Sequence, residues 1–237
     1  MNLILLESAQ QVAENRYRLC PRQTRHVDTI LGAQPGDDLR CGLLDGPCGT
    51  GTLHHAGEHR ELETNLNETP PAPLPLTLIL ALPRPKMLKR MLIDATSLGI
   101  KQIVLLNSWK VDKSYWQTPE LKHELLQEKL RLGLEQAGDT VLPALTLAKR
   151  FKPFVEDDLT AVAGNSRCLL ADPSGADYLP CDLVDPVTLA VGPEGGWTAY
   201  ERDMLVARGF HCHSLGQRIL RSETALPSLV GRLMRLP

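Results

Sequence analysis

The 237-residue sequence has no excess of basic charge: 26 Lys and Arg stand against 28 Asp and Glu, for a net charge of −2. A chain with that balance is not a general polyanion binder, so any nucleic-acid site has to be a local patch. The six cysteines (Cys20, Cys41, Cys48, Cys168, Cys181 and Cys212) form no C-x-x-C pair. That disfavours a zinc knuckle or a redox dithiol and favours free thiols in a reducing cytoplasm. No apolar run approaches the roughly 18 residues of a membrane span. The opening "MNLILLESAQ" has no basic segment ahead of its short apolar run, so neither a membrane partner nor a secretory signal is expected.

Nucleotide loops are missing too: there is no G-x-x-x-x-G-K-[ST], and no G-x-G-x-x-G between a strand and a helix. "GPCGTG" at 46–51 has no helix after it and reads as turn glycine. The lack of G-x-S-x-G weakens a serine-hydrolase reading. His54 with His55, and His211 with His213, have no acidic or cysteine neighbours at ligand spacing, so no metal is expected.

What remains is a chain of two textures. An apolar content of 43% is enough for one large core and one small one. In the first 65 or so residues, short apolar segments ("RYRLC", "DDLRCGLLDG", "GTGTLHHAG") are separated by turn residues, which predicts a small β-rich module. "NETPPAPLPL" follows, with Pro70, Pro71, Pro73 and Pro75. This density of proline predicts a stiff extended linker near residues 66–75. Beyond it, apolar runs of strand length ("LTLILAL", "QIVLLN", "CLLA", "VTLAV", "FHCHSL") alternate with helical periods, among them Met87, Leu88, Met91, Leu92 and Ala95, closed by Gly99. Strands apolar throughout and alternating with helices predict an α/β domain, its parallel sheet covered on both faces.

Ligands of such sheets sit where strands end and loops begin, and two of these loops carry information. In "LAVGPEGGWTAYERDML" a strand ending at Val191 leads into Gly192, Pro193, Glu194, Gly195 and Gly196. Thr198 and Glu201 then have the spacing of a capping box. In "LGQRILRSETALPSLV" a strand ends near Leu215 and Gly216. Arg218 and Arg221 flank Ile219 and Leu220, with Glu223 near the start of a helix. Cations for phosphate contacts cluster at Arg84, Lys86, Lys89 and Arg90, and again at Lys149, Arg150 and Lys152.

Taken together, "VGPEGGW" and "LGQRILRSETA", in that order and each at a strand end, resemble the RsmE group of SPOUT methyltransferases. The likeness extends more loosely to "GDDLRCGLLDG" and "LALPRPKM". The resemblance implies a PUA-like RNA-binding β-barrel over residues 1–68 and a SPOUT methyltransferase domain with a C-terminal trefoil knot over 69–237. It implies a cytoplasmic homodimer that uses S-adenosyl-L-methionine to methylate N3 of a uridine in 16S rRNA of the 30S subunit. Cofactor contacts would come from Leu170, Ala171, Asp172 and Pro173; from Val191 to Gly196; and from Leu215, Gly216, Arg218, Ile219 and Leu220. Glu194 would brace its loop or face the partner subunit. Arg22, Arg25, Arg84 and Lys86 would contact RNA.

For the chemistry, the uracil N3 proton titrates roughly two units above neutral, so ionising it costs about 3 kcal/mol. An arginine facing the developing charge offsets that cost. Arg221 is the candidate, with Arg218 the alternative and Glu223 orienting the arginine or relaying the proton. At four positions of the group's patterns this chain differs: Gly32 and Asp139 stand at arginines, Asp94 at a lysine and Ser97 at a glutamate. Two other readings are a methyltransferase of the same fold acting on a different RNA, and an RNA-binding or ribosome-assembly protein without turnover.

Overall fold

The computed structural model describes residues 2–235. They separate into two compact units, one comprising the residues up to Pro71 with Arg131–Leu142, the other Ala72–Leu130 with the residues from Pro143 onward.

In the first unit a six-stranded sheet is built from β1 (Ile4–Leu6), β2 (Gln11–Ala13), β3 (Arg16–Arg18), β4 (Asp38–Leu43), β5 (Cys48–Ala56) and β6 (His59–Glu68). Its order is β1-β4-β5-β6-β3-β2, antiparallel except for the parallel pair β1–β4. Strand periodicity sorts β1 between two cores. Ile4 and Leu6 pack with Tyr17, Val27, Leu53 and Leu62, whereas Leu3 and Leu5 pack with Cys48 and Leu134. The expected barrel is a curled sheet with a half-barrel form. Its edge strands β1 and β2 are each three residues long and do not pair with one another. Just before β1, the amides of Asn2 and Leu3 donate to the Glu135 carbonyl at 2.9 and 3.1 Å, so that stretch of edge is occupied.

Within the expected β-rich module lies a helix, α1 (Pro21–His26), which widens into a π turn over Val27–Leu31. Pro21 suits a first helical position. Gly32 ends the segment at φ +62, a left-handed conformation in which a side chain is strained. This is a structural reason for glycine at that position.

The linker is shorter than the proline count suggests. Residues 66–68 finish β6, and β7 (Leu74–Ala81) begins at Leu74. Pro75 fits because the β7–β8 register slips between Leu74 and Thr77, and proline is tolerated where the ladder is interrupted.

The second unit holds seven parallel strands: β7, β8 (Ile100–Leu106), β9 (Ala144–Ala148), β10 (Arg167–Ala171), β11 (Asp177–Tyr178), β12 (Val187–Val191) and β13 (His211–Ser214). Their order is β11-β13-β10-β12-β7-β8-β9. Helices α2 (Pro85–Ser97), α3 (His123–Ala137), α4 (Phe151–Pro153), α5 (Leu159–Ala163), α6 (Ala199–Val206) and α7 (Ser222–Leu233) connect or follow the strands. All five residues of β12 are buried, as a strand covered on both faces requires. Each large aliphatic there contributes about 1.5–3 kcal/mol of burial. Because β10, β12 and β13 are parallel neighbours, the loops that leave them emerge side by side at one edge of the sheet. The helix of α3 crosses the division, its turns from Arg131 onward belonging to the first unit.

Candidate active site

Those three loops surround an open-mouthed pocket, at the strand ends where ligands of parallel α/β sheets sit. Ala171, Asp172 and Pro173 line it from the end of β10, and Val191, Gly192, Pro193, Glu194 and Gly196 from the end of β12. Leu215, Gly216, Arg218, Ile219 and Leu220 contribute from the segment after β13. Four of the residues singled out in the sequence lie elsewhere. Leu170 is fully buried in β10. Gly195 turns its carbonyl to Lys110 Nζ at 2.7 Å. Arg221, exposed, and Glu223, half-buried, open α7 outside the lining.

Residues not anticipated as site residues also face the pocket: Trp197, His213, Ser214, Ser222, Ala225 and Leu229. His213, read from sequence as an ordinary strand histidine, is buried. Its Nδ1 lies 3.2 Å from the Tyr178 carbonyl. The last three residues follow the helical repeat of α7, a signal available in the sequence once that helix is known to border a site.

The β12 loop is held firmly. Thr198 and Glu201 form the expected capping box of α6, and the buried Glu201 carboxylate also accepts from the Trp109 amide at 2.7 Å. Glu194 braces a helix start, since its Oε1 accepts from the Arg84 amide at 3.2 Å and lies 3.9 Å from Arg84 Nε. Asp172, nearly buried, accepts from the Ser174 amide and hydroxyl at 2.8 and 2.6 Å and faces Arg202 at 3.8 Å. Burial, with Asp172 adding to it, pushes the Cys212 thiol up from its ordinary value, so it stays protonated and is no nucleophile at neutral pH.

Two buried polar atoms of the lining, Trp197 Nε1 and His213 Nε2, have no hydrogen-bond partner among the described residues. Such orphans suit a pocket completed by a polar ligand. Ile219 is 83% exposed, leaving an apolar surface for a flat heteroaromatic group to cover. The residues therefore fit a nucleoside-type cofactor. Among the described residues no group of three or more His, Cys, Asp or Glu could hold a metal ion, and no helix is long and apolar enough to cross a membrane.

The strand that closes the pocket is sensitive to packing. A Cβ on Gly175 would lie 2.8–2.9 Å from three backbone atoms of His213, and backbone has no rotamer to yield. Gly175→Ala is expected to displace β13 at a cost of about 1 kcal/mol. Cofactor affinity measured by calorimetry should fall severalfold, and an unchanged affinity would show that the strand absorbs the methyl group.

The positions where charge differs from the resembled pattern have local roles. Asp139 is buried and accepts from the Val141 amide at 2.9 Å. Ser97 donates to the Ile93 carbonyl at 2.6 Å. Burial raises the Asp94 carboxyl above its ordinary value, with Arg90 opposing. A raised carboxyl favours the folded state below the unfolded value of about 3.9, and this contribution is lost as pH rises through the folded value. Asp94→Asn should therefore raise Tm at neutral pH, with the gain vanishing below about pH 4. A pH-independent gain in melting scans would contradict this origin.

Residues 70–234 match the family described as RNA methyltransferase domain. The ribosomal RNA small subunit methyltransferase E of Treponema pallidum is 32% identical over 237 residues, 95% of this chain and 87% of that protein. Two solved structures share the fold. One is a ribosomal RNA small subunit methyltransferase E of Neisseria gonorrhoeae bound to S-adenosyl methionine (TM-score 0.71, 22% identity, 98% of this chain and 95% of that one). The other is a putative methyltransferase of Legionella pneumophila in complex with the same cofactor (TM-score 0.72, 21% identity, 97% and 94%). The match over residues 70–234 defines the class, an RNA methyltransferase domain. More narrowly, the chain belongs to the ribosomal RNA small subunit methyltransferase E family.

Proposed function

We propose that this protein transfers a methyl group from S-adenosyl-L-methionine to N3 of a uridine in the 16S rRNA of the small ribosomal subunit. The observation that carries this reading is the pocket, where three adjacent strand-end loops meet around two unpaired buried donors or acceptors. The loops after β10, β12 and β13 hold the cofactor, whose sulfonium supplies an electrophilic methyl group. Trp197 and His213 offer polar atoms to it, and the glycines of the β12 loop keep side chains out of its way.

The protein's own task is to make N3 of the uracil nucleophilic. Arg221 opens α7 directly after Leu220, a lining residue, and its guanidinium faces the negative charge that develops on the uracil oxygens. Arg218, inside the lining, is the alternative, and Glu223 orients the arginine or relays the N3 proton. A charge held ready in a partly dry site needs no reorganisation when the reaction occurs.

Residues 69–237 form the methyltransferase domain and 1–68 a PUA-like RNA-binding module, a reading its curled β-sheet supports. A trefoil knot is supported by the strand order, in which the chain leaves β12 and seats β13 beyond β10. The active form is a cytoplasmic homodimer. Arg25, Arg84 and Lys86, all exposed, supply RNA contacts, whereas Arg22 has a protein partner, Glu135.

The test is cofactor calorimetry followed by transfer of a labelled methyl group onto 30S subunits from a strain lacking this protein. Label at N3 of one uridine is the expected result. Label on other RNA alone would make the substrate a different one, and absence of cofactor binding would leave an RNA-binding protein without turnover.

A further inference from the structure

The same unit has a second cleft that the reaction does not use. It is bordered by the loop after β8, the start of α4 and the first turn of α6. Trp109, Trp116, Phe151 and Tyr200 line it, although aromatic residues make up only 4% of the chain. Trp109 is 86% exposed and Tyr200 57%, and large rings left in water mark a surface that something covers.

Two of these residues are tied to the cleft wall by hydrogen bonds. The Trp116 indole donates to Asn107 Oδ1 at 2.8 Å, and the Trp109 amide is held by Glu201 at 2.7 Å.

The polar groups of the cleft favour an anion. Lys113 and Lys149 line it, are exposed, and have no ion pair among the described residues. Glu201 is the single carboxylate of the lining, and its oxygens are already bonded to Thr198 and Trp109. Ser108 Oγ, buried against the cleft, has no hydrogen-bond partner among the described residues.

We propose that this cleft binds single-stranded RNA, stacking unpaired bases of the substrate on Trp109 and Tyr200 while Lys113 and Lys149 meet the flanking phosphates. The inference rests on the RNA-methyltransferase reading and adds to it where the substrate is gripped outside the cofactor pocket. Rings accept any base, and cations follow the backbone, so the cleft contributes affinity with little sequence choice. Two unpaired lysines beside exposed rings match a phosphate backbone with stacked bases better than they match a folded protein partner.

The experiment titrates a short single-stranded RNA of mixed sequence against the full chain, read by quenching of tryptophan fluorescence and independently by anisotropy of labelled RNA. Trp109→Ala should weaken RNA binding about tenfold, as expected for one lost stack. Lys149→Ala should weaken it and reduce the salt slope by about one. Cofactor affinity and Tm should stay at wild-type values in both. RNA affinity within twofold of wild type in both variants overturns the proposal. So does a dimer that becomes monomeric in Trp109→Ala at unchanged RNA affinity, because a second copy would then be what covers the rings. Trp109-dependent RNA binding without methyl transfer by the wild type would sink the enzyme reading and leave the cleft. Methyl transfer with KM unaffected by Trp109→Ala and Lys149→Ala would do the reverse.

Discussion

Arg221→Ala should lower the rate of methyl transfer at least tenfold, and by up to about 10²-fold if its charge is fully effective at the transition state, while cofactor affinity changes less than twofold. Three features make these two effects separable. Arg221 lies outside the pocket lining, so its loss removes no wall of the cofactor site. Its side chain makes no cap bond to α7; the helix start is secured instead by its carbonyl, which accepts from the Thr224 and Ala225 amides at 2.9 and 2.7 Å, and alanine keeps that carbonyl. The guanidinium is exposed and has no ion pair among the described residues, so removing it strands no counter-charge. About 3 kcal/mol is needed to ionise N3 at neutral pH, and losing half of that offset already costs a factor of ten. Arg221→Lys should recover part of the rate, because the charge returns without the planar fork. Arg218→Ala should weaken cofactor binding as well, since Arg218 lines the pocket. Single-turnover rates beside calorimetry decide between them, and wild-type turnover in Arg221→Ala would move the role to Arg218.

The parts of this fold legible in the sequence are those where burial on both faces leaves a continuous apolar run: β7, β8, β10 and β12. β9 is a half-exposed edge strand and β11 has two residues, too little pattern to register. The helical segment at 21–31 carries no apolar stripe in the sequence, because its buried residues are Gln23 and Val27. Gln23 is buried because its amide is bonded at both ends: it donates to the Leu5 carbonyl and accepts from the Cys20 amide and from Gln10. Satisfied polar burial leaves no mark in hydropathy. At the site, glycine and proline marked the β12 loop, and charge flanking an apolar pair marked the β13 loop. Trp197, His213 and Ser214 became visible only with the strand order, because nothing local places β13 beside β10. The grouping of 131–142 with the first unit is of the same kind: Glu135 and Asp139 look like solvated helix-end charges yet are buried.

That burial makes Arg22→Ala the change with the largest expected effect on stability. Arg22 meets Glu135 through two guanidinium nitrogens, one of them 2.8 Å from Oε2. The Glu135 side chain is 1% exposed and that of Arg22 is 49%. The Glu135 carbonyl also holds the Asn2 and Leu3 amides, so a disturbance at this residue reaches the edge of the sheet. Without Arg22 the carboxylate has to take up a proton or draw in water. The cost should be about 2–3 kcal/mol, below the 3–5 of a fully enclosed pair because the arginine side is already half open to solvent. A loss of that size lowers Tm by about 4–12 °C in a chain of this length. Glu135→Gln should lose less, since the amide needs no counter-charge. Adding it to Arg22→Ala should restore much of the stability, because the stranded charge is then gone. The double variant also decides what else Arg22 does. If RNA affinity returns together with Tm, the arginine serves the fold alone. If Tm recovers while RNA affinity stays low, its exposed half reaches a phosphate too.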